Sequence, residues 1–207
     1  MTLENRLWIA AVAAMLAFVA LGLVVSRATP MRLDVEAETL RGSATPLAIF
    51  FTQSGRSWPL LALAIVGTLL FAIGRWPLWI PLGIFVSQLL SQGIVEGAKR
   101  VFVRARPDDW LFAHEHGYSY PSGHACTAIV FFGAYALAGS QLPLARGWKI
   151  GITIAAAIWI VGIDWSRIAL GAHYLTDVIG GTVFGIGWLC GVTALALRLI
   201  ASGRLTV

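Results

Sequence analysis

Two polar residues at the edge of an apolar segment could carry out nucleophilic chemistry. His173 and Asp177 lie four positions apart where the apolar run of residues 174–199 begins. In a helix, residues with this spacing share one face and are one turn apart. A carboxylate bonded to one imidazole nitrogen fixes the tautomer, raises the basicity of the other nitrogen and stabilises the cation formed on attack. The pair therefore predicts His173 as a nucleophile that Asp177 orients.

A second histidine, His124, follows Pro-Ser-Gly at the start of another apolar segment. A histidine placed there could protonate the oxygen of a leaving group and afterwards activate water. For His124 or His173 alone, a structural or surface role is the more common one. The prediction of catalysis depends on the two histidines occurring together with charged neighbours.

Three basic residues, Lys99, Arg106 and Arg167, are expected on the same side as the histidines. Arginine binds phosphate oxygens in a bidentate manner, and lysine adds a point charge. Ser122 and Gly123 enter a helix and offer N–H donors at the positive end of its dipole. Together these groups predict a phosphate site. The alternative for Lys99 and Arg106 is anchoring at the membrane edge, where long basic side chains reach the headgroups.

Composition indicates that these groups are held by membrane helices. The chain has 207 residues, of which 58% are hydrophobic and 12% charged, which excludes an ordinary soluble domain. Its net charge of +5 comes from basic residues between apolar segments. That pattern fits lipid headgroups or a phosphate site better than nucleic acid, so no nucleic-acid partner is predicted.

The apolar runs predict an all-α fold, a six-transmembrane-helix bundle forming one integral-membrane domain over residues 1–207. Runs of about 20 apolar residues are needed to cross a bilayer core. The predicted spans cover residues 7–26, 58–74, 76–97, 122–141, 148–165 and 174–199. A closed barrel is the other spanning structure, but these runs lack the alternating polar period of barrel strands. Residues 33–41 predict a short interfacial helix between the first two spans, with its acidic residues solvated.

With six spans, the loops after the first, third and fifth spans lie on one side of the membrane. The candidate phosphate-binding residues and both histidines fall in or next to these loops. Ionisable groups are costly in so apolar a chain, so their convergence indicates a functional site. Most of the 15 basic residues fall on this side, which the positive-inside rule would place in the cytoplasm. Without Lys99, Arg106 and Arg167 the two sides carry equal numbers, so charge does not decide the orientation.

The three clusters resemble the signature of the type 2 phosphatidic acid phosphatases, which are related to the vanadium haloperoxidases and bacterial acid phosphatases. That signature reads Lys-x6-Arg-Pro, Pro-Ser-Gly-His and Ser-Arg-x5-His-x3-Asp. Its defined positions occur here in order, as Lys99 with Arg106-Pro107, Pro121-Ser122-Gly123-His124, and Ser166-Arg167 with His173 and Asp177. The resemblance covers residues 99–177 directly, and the six-span layout extends it over nearly the whole chain.

The resemblance implies a role for each signature residue. Lys99, Arg106 and Arg167 would bind the phosphate, together with Ser122 and the backbone of Gly123.

The resemblance also implies that His173 becomes a phosphohistidine, with Asp177 as its orienting partner and His124 as the general acid. Membrane members of the family imply an active site on the extracytoplasmic face, here of a bacterial inner membrane. No metal cofactor is implied, and the sequence has no carboxylate cluster suited to magnesium. Outside the signature, Arg104 and His116 are accessory candidates that could meet a second phosphate or a headgroup.

Three further residues have open roles. Glu96 and Asp164 are close enough in sequence to the motifs to pair with site cations. His114, like His116, lies in the loop before the second motif, where an exposed histidine is the alternative.

The expected activity is hydrolysis of a lipid phosphate or diphosphate whose tail stays among the membrane lipids. Undecaprenyl diphosphate is the first expected substrate, followed by phosphatidylglycerol phosphate and phosphatidate. Two alternatives remain open: a lipid phosphotransferase using the same site, and a non-catalytic protein that binds or transports a lipid phosphate. The binding protein would not need His124, His173 and Asp177.

Overall fold

The computed structural model describes residues 1–27, 30–108, 110–113 and 116–206, and all regular structure within these ranges is helical. The helices are α1 Leu3–Val25, α2 Arg32–Ala37, α3 Thr45–Ser54, α4 Ser57–Ile73, α5 Trp79–Phe102, α6 Gly123–Thr127, α7 Ala134–Gln141, α8 Arg146–Ala169 and α9 Leu175–Ala201. A 3₁₀ turn, Glu38–Leu40, follows α2, and a π-helical turn, Ala128–Gly133, joins α6 to α7. The predicted all-α class is confirmed.

Several helices could cross a membrane. The described part of the chain has four that are long and apolar enough: α1, the continuous α6–α7 segment, α8 and α9. Helices α3 and α4 pass the same test as a pair, but they are bent by 56° at the break between them. The prediction of multiple spanning helices is confirmed at this coarser level, while the count of six is not.

Helix α5 is one reason why fewer than the six predicted spans pass the test of length and hydropathy. It has 24 residues, enough to span, but Ser and Gln side chains along it lower its hydropathy. Gln88 and Ser91 are buried, so these polar groups face the protein interior. The Gln88 and Gln92 amides both donate to the Thr127 hydroxyl, at 2.8 Å each. Because these amide N–H groups are bonded inside the bundle, the low hydropathy of α5 does not indicate exposure to water.

Helix α9 is central to the packing, with α1 along one side and α6 against another. Glycines make the close approach possible. A Cβ at Gly181 would lie 2.3 Å from the Ser122 carbonyl oxygen, and one at Gly187 would lie 2.9 Å from the Ala14 Cβ. Small residues therefore let neighbouring backbones touch α9. This contact brings the second motif directly onto the third.

An aromatic cluster fixes the end of the loop that leads to α6. The ring of Tyr120 stacks on Phe18 of α1, with centroids 5.6 Å apart, and meets Phe102 of α5 edge-on at 5.1 Å. Its hydroxyl donates to the Phe18 carbonyl oxygen at 2.6 Å. Burial raises the pKa of this hydroxyl above its usual range, so it stays a neutral donor. The loop is thereby anchored to two helices.

The segment between the first two predicted spans is helical, as expected, but it contains more structure than predicted. Residues 33–41 form α2 and the 3₁₀ turn, and α3 follows as an additional helix. The expectation of solvated acids holds for Glu36 and Glu38, which are exposed. It is wrong for Asp34, which is 2% exposed because it faces α9 and not water.

Candidate functional site

His173 lies in the turn between α8 and α9. Gly171, at φ +68°, takes the left-handed conformation that lets the chain leave α8. The His173 N–H then donates to the Arg167 carbonyl oxygen at 3.2 Å, which folds the turn back on the helix. The His173 side chain is 3% exposed overall and lies over the first turn of α9. Its Nδ1 is 3.5 Å from Asp177 Oδ2.

Asp177 is held by groups other than the imidazole. Its Oδ2 accepts hydrogen bonds from the Tyr174 N–H, at 2.9 Å, and from the Ser119 hydroxyl. Ser119 Oγ also lies 3.4 Å from His173 Nδ1. Ser119 was not predicted from the sequence. The one feature that could have indicated it is its position two residues before Pro121, where the second motif begins.

Arg106 approaches the other imidazole nitrogen. Its Nη1 lies 3.0 Å from His173 Nε2 and also donates to the Ala172 carbonyl oxygen at 3.0 Å. A guanidinium only donates, so Nε2 is the accepting nitrogen and the ring proton belongs on Nδ1, facing Asp177. The guanidinium lies 5.2 Å from the Trp110 ring centroid and donates to the Gly117 carbonyl oxygen at 3.1 Å.

The two other predicted phosphate-binding cations are at helix ends. Arg167, in the last turn of α8, is 2% exposed and donates to the Thr52 hydroxyl of α3. Lys99, in the last turn of α5, is 9% exposed, and its Nζ pairs with Glu96 Oε1 at 2.6 Å. A Cβ at Gly123 would lie 3.8 Å from this Nζ, so the ammonium group is beside the start of α6.

The second motif lies at the start of α6. Ser122 is buried and caps the helix, since its Oγ accepts from the Ala125 N–H at 3.4 Å. The Ser122 N–H donates to the Asp177 carbonyl oxygen at 3.0 Å, which ties α6 to α9. This N–H is therefore committed within the protein, while the hydroxyl hydrogen can still be donated. His124, in the first turn of α6, is half-buried.

The break between α3 and α4 packs against His124. A Cβ at Gly55 would lie 3.2 Å from His124 Cδ2 and 3.3 Å from Ile163 Cδ1. A side chain at this position would press on the imidazole. Thr52, one turn earlier, is the partner of Arg167. This break, residues 54–57, is called the α3–α4 elbow below.

Arg104 has a different position from the one expected. It is 5% exposed, and its Nη1 donates to Asp177 Oδ1 at 2.5 Å and to Thr176 Oγ1 at 2.7 Å. Its Nη2 donates to Asp34 Oδ2 at 2.8 Å, and its guanidinium lies 4.4 Å from the Tyr174 ring centroid. Because two carboxylates neutralise this charge, Arg104 does not fit the expected contact with a second phosphate. It supports Asp177 instead.

Asp34 completes this arrangement from α2. Its Oδ1 accepts from the Thr176 N–H at 2.9 Å and from the Thr176 hydroxyl at 2.8 Å, so it also caps α9. Asp34 was not predicted as a site residue, because no sequence pattern distinguishes it from its exposed neighbours Glu36 and Glu38. We call this arrangement the Asp34–Arg104–Asp177 network.

The other residues named in the sequence analysis make no contact with His173 or Asp177 that the structure describes. Glu96 pairs with Lys99, as anticipated, but Asp164 accepts from the Thr182 hydroxyl of α9 at 3.0 Å. His116 is exposed in its loop, and His114 lies outside the described residues.

A pocket opens next to the site cations. It is lined by Arg56, Trp110, Phe112, Ala113, Arg167, Leu170 and Ala172. Arg167 is one of the predicted phosphate-binding residues, and the Ala172 carbonyl holds Arg106. The pocket therefore adjoins the groups around His173.

Comparisons with known proteins identify relatives of this chain. The lipid A 1-phosphatase of Rhizobium etli is 35% identical over 130 residues, which are 56% of this chain and 50% of that protein. Phosphatidylglycerophosphatase B of Bacillus subtilis is 34% identical over 140 residues, 65% of this chain and 66% of that protein. The chain thus spans about half the length of the first relative and two thirds of the second.

A solved structure shares the fold. The crystal structure of the first transmembrane PAP2 type phosphatidylglycerolphosphate phosphatase from Bacillus subtilis matches with a TM-score of 0.77 at 24% identity. The match covers 91% of this chain and 96% of that one. Residues 76–200, more than half of the sequence and including all three motifs, match the sequence profile of the PAP2 superfamily. The chain therefore belongs to the PAP2 superfamily.

Proposed function

We propose that this protein is a membrane phosphatase that hydrolyses a lipid phosphate or diphosphate through a phosphohistidine on His173. The observation that carries the proposal is the placement of this imidazole between a carboxylate and a cation. Asp177 Oδ2 is 3.5 Å from Nδ1, and Arg106 Nη1 is 3.0 Å from Nε2. The Nε2 lone pair accepts from Arg106 in the structure, so the guanidinium must turn to a phosphoryl oxygen when substrate binds, which frees the lone pair and brings phosphorus within reach of it.

In the first proposed step, Nε2 of His173 attacks phosphorus while the bond from phosphorus to the leaving oxygen breaks. His124 gives its proton to that oxygen. Asp177 stabilises the positive charge that develops on the imidazole. Lys99 and Arg167, with the Gly123 backbone, stabilise the negative charge on the transferring phosphoryl group.

In the second step, His124 takes a proton from water, and the water oxygen attacks phosphorus. The bond from phosphorus to Nε2 breaks, so inorganic phosphate leaves and both histidines return to their starting states. His124 thus serves as acid in one step and base in the next.

The proposed membrane arrangement adds α4 and α5 to the four apolar helices and retains six spans in a single domain. Gln88 and Ser91 of α5 are buried, and Gln88 bonds to Thr127 of α6, which supports placing α5 inside the bundle. The ends of α5 and α8 and the starts of α6 and α9 carry the site, so all four meet at one membrane face. We propose that this is the extracytoplasmic face of a bacterial inner membrane. A headgroup could enter there while its tail remains in lipid.

The relatives support a lipid substrate, since their names specify lipid A and phosphatidylglycerophosphate. Within this class, undecaprenyl diphosphate and phosphatidylglycerol phosphate are the first substrates to test, and phosphatidate is the next.

The test is phosphate release by the purified protein in detergent, with EDTA present, across these three lipids. We expect release by the wild type and none by His173→Ala, with thermal unfolding of the variant monitored in parallel. With a ³²P-labelled terminal phosphate, acid-labile and alkali-stable label should appear on the wild type and not on His173→Ala. Unchanged turnover in His173→Ala would refute the nucleophile, and lipid binding without release would indicate a binding protein. Transfer of label to an added acceptor lipid would indicate a phosphotransferase.

A further inference from the structure

Lys99, one of the proposed phosphate-binding cations, has an acidic neighbour outside the family signature. Its Nζ donates to Glu96 Oε1 at 2.6 Å, and the two residues lie three positions apart at the end of α5. The Lys99 side chain is 11% exposed and the Glu96 side chain is 60% exposed. Water can therefore solvate the carboxylate without the lysine, whereas the nearly buried ammonium depends on a nearby anion for its counter-charge.

The paired ammonium lies where the phosphate is proposed to bind. A Cβ at Gly123 would lie 3.8 Å from Lys99 Nζ, so the ammonium is beside the start of α6. An ammonium has three donors, and the pair with Glu96 uses one of them. Lys99 can therefore donate to a phosphoryl oxygen while it stays paired with Glu96.

Glu96 and a bound phosphate would then share one ammonium. A charge-assisted hydrogen bond places the phosphate oxygen about 2.8 Å from Nζ. Because Glu96 Oε1 is 2.6 Å from the same atom, the two oxygens are at most about 5.4 Å apart. Both groups are negatively charged and repel each other at this distance, and solvent around the exposed carboxylate reduces this repulsion without abolishing it. The carboxylate thus opposes the binding of phosphate to the lysine that it neutralises.

We infer that Glu96 limits the affinity of the site for phosphate and so promotes release of the inorganic phosphate product. The inference rests on the proposed function and concerns the control of that same site. Free phosphate and the phosphoryl group of the lipid meet the same ammonium, so Glu96 weakens the binding of both. Weaker product binding shortens the time for which inorganic phosphate blocks His173 after each turnover.

Glu96→Gln tests the inference, because the amide loses the charge but keeps an oxygen that can accept from Lys99. The inhibition constants of inorganic phosphate and vanadate are measured in both proteins against phosphate release from the lipid that the wild type hydrolyses fastest. Both constants should fall by about 3- to 10-fold in Glu96→Gln, the effect expected when one like charge about 5 Å away is removed near the surface. The difference should shrink in about 1 M NaCl, where screening acts over about 3 Å.

Thermal unfolding provides a measurement that does not depend on turnover. A ligand that binds the folded protein raises its unfolding temperature. At one phosphate concentration, with NaCl matching the ionic strength in the reference sample, the rise should be larger for Glu96→Gln than for the wild type. Glu36→Gln is the matched control, since Glu36 is 56% exposed and pairs with Arg32 on α2. It removes the same charge and should respond to phosphate like the wild type.

Two results would overturn the inference while leaving the phosphatase proposal intact. Unchanged or weaker phosphate binding by Glu96→Gln is the first, and weaker binding would mean that Glu96 serves to orient Lys99. Equal tightening in Glu36→Gln is the second, since net charge and not the local pair would then be responsible. If the wild type releases no phosphate from any lipid, the phosphatase proposal fails, and the unfolding measurement still decides whether Glu96 limits phosphate binding.

Discussion

The Asp34–Arg104–Asp177 network predicts that a residue far from the reacting atoms controls the rate. In Asp34→Ala, the Arg104 Nη2, the Thr176 N–H and the Thr176 hydroxyl all lose their acceptor. The Arg104 side chain is 5% exposed and that of Asp34 is 0% exposed, so water does not readily replace the lost carboxylate. Removing one partner of a buried ion pair destabilises a protein by about 3–5 kcal/mol. We expect the free energy of unfolding of Asp34→Ala to fall by an amount in that range.

The same substitution should lower kcat more than it raises KM. Arg104 keeps its contact with Asp177 but loses the contact that fixes its other end. A shift of about 1 Å at a catalytic group can cost on the order of 100-fold in rate. We therefore expect kcat to fall by about 10- to 100-fold. KM should change little, because Asp34 contacts none of the proposed phosphate-binding cations.

Two measurements test this prediction: unfolding in mixed detergent and SDS micelles, and steady-state phosphate release. Glu36→Ala is the control, since Glu36 lies on the same helix and pairs with Arg32, with side-chain exposures of 56% and 92% respectively. Exposed pairs of this kind contribute about 0–1 kcal/mol. If Asp34→Ala matches Glu36→Ala in both stability and kcat, the reasoning from the buried network is refuted.

Two further predictions concern the geometry around Asp177. Ser119→Ala removes the hydroxyl that donates to Asp177 Oδ2, so kcat should fall about tenfold with KM nearly unchanged, as steady-state kinetics would show. Wild-type kcat in this variant would exclude the serine from orienting the pair. Gly181→Ala places a Cβ 2.3 Å from the Ser122 carbonyl oxygen, which must push α6 away from α9. Stability should fall by about 1–3 kcal/mol and activity with it, whereas Gly97→Ala, with nothing within 4 Å, should unfold like the wild type. Equal unfolding of the two glycine variants would contradict the close contact.

Local patterns in the sequence anticipated the helical class and the long apolar helices. Hydrophobic runs report on lipid exposure, so they found α1, α8 and α9 directly. The run over residues 76–97 also predicted α5, although Gln88 and Gln92, which donate to Thr127 of α6, make this helix less apolar than the other three. Helix α3 escaped prediction because it is short, 10 residues, and bends into α4.

The candidate site was predictable where its residues form motifs and unpredictable where the fold alone joins them. His173 and Asp177 are one helical turn apart, so their spacing is visible in the sequence. Asp34 is separated from Arg104 by 70 positions and from Thr176 by 142. No local pattern encodes such a contact, and an acidic residue in an amphipathic segment is usually solvated. The expectation for Arg104 failed for the same reason, since its role depends on a partner that only folding brings near.

The contacts that α3 and the α3–α4 elbow make with signature residues have a consequence for variation within this fold. The family match begins at residue 76, yet Thr52 and Gly55 contact Arg167 and His124 from outside it. The amino-terminal third of the chain thus contacts two signature residues without containing any of them. Exchanging that third between relatives would therefore change the groups that contact Arg167 and His124 while every signature residue stays in place.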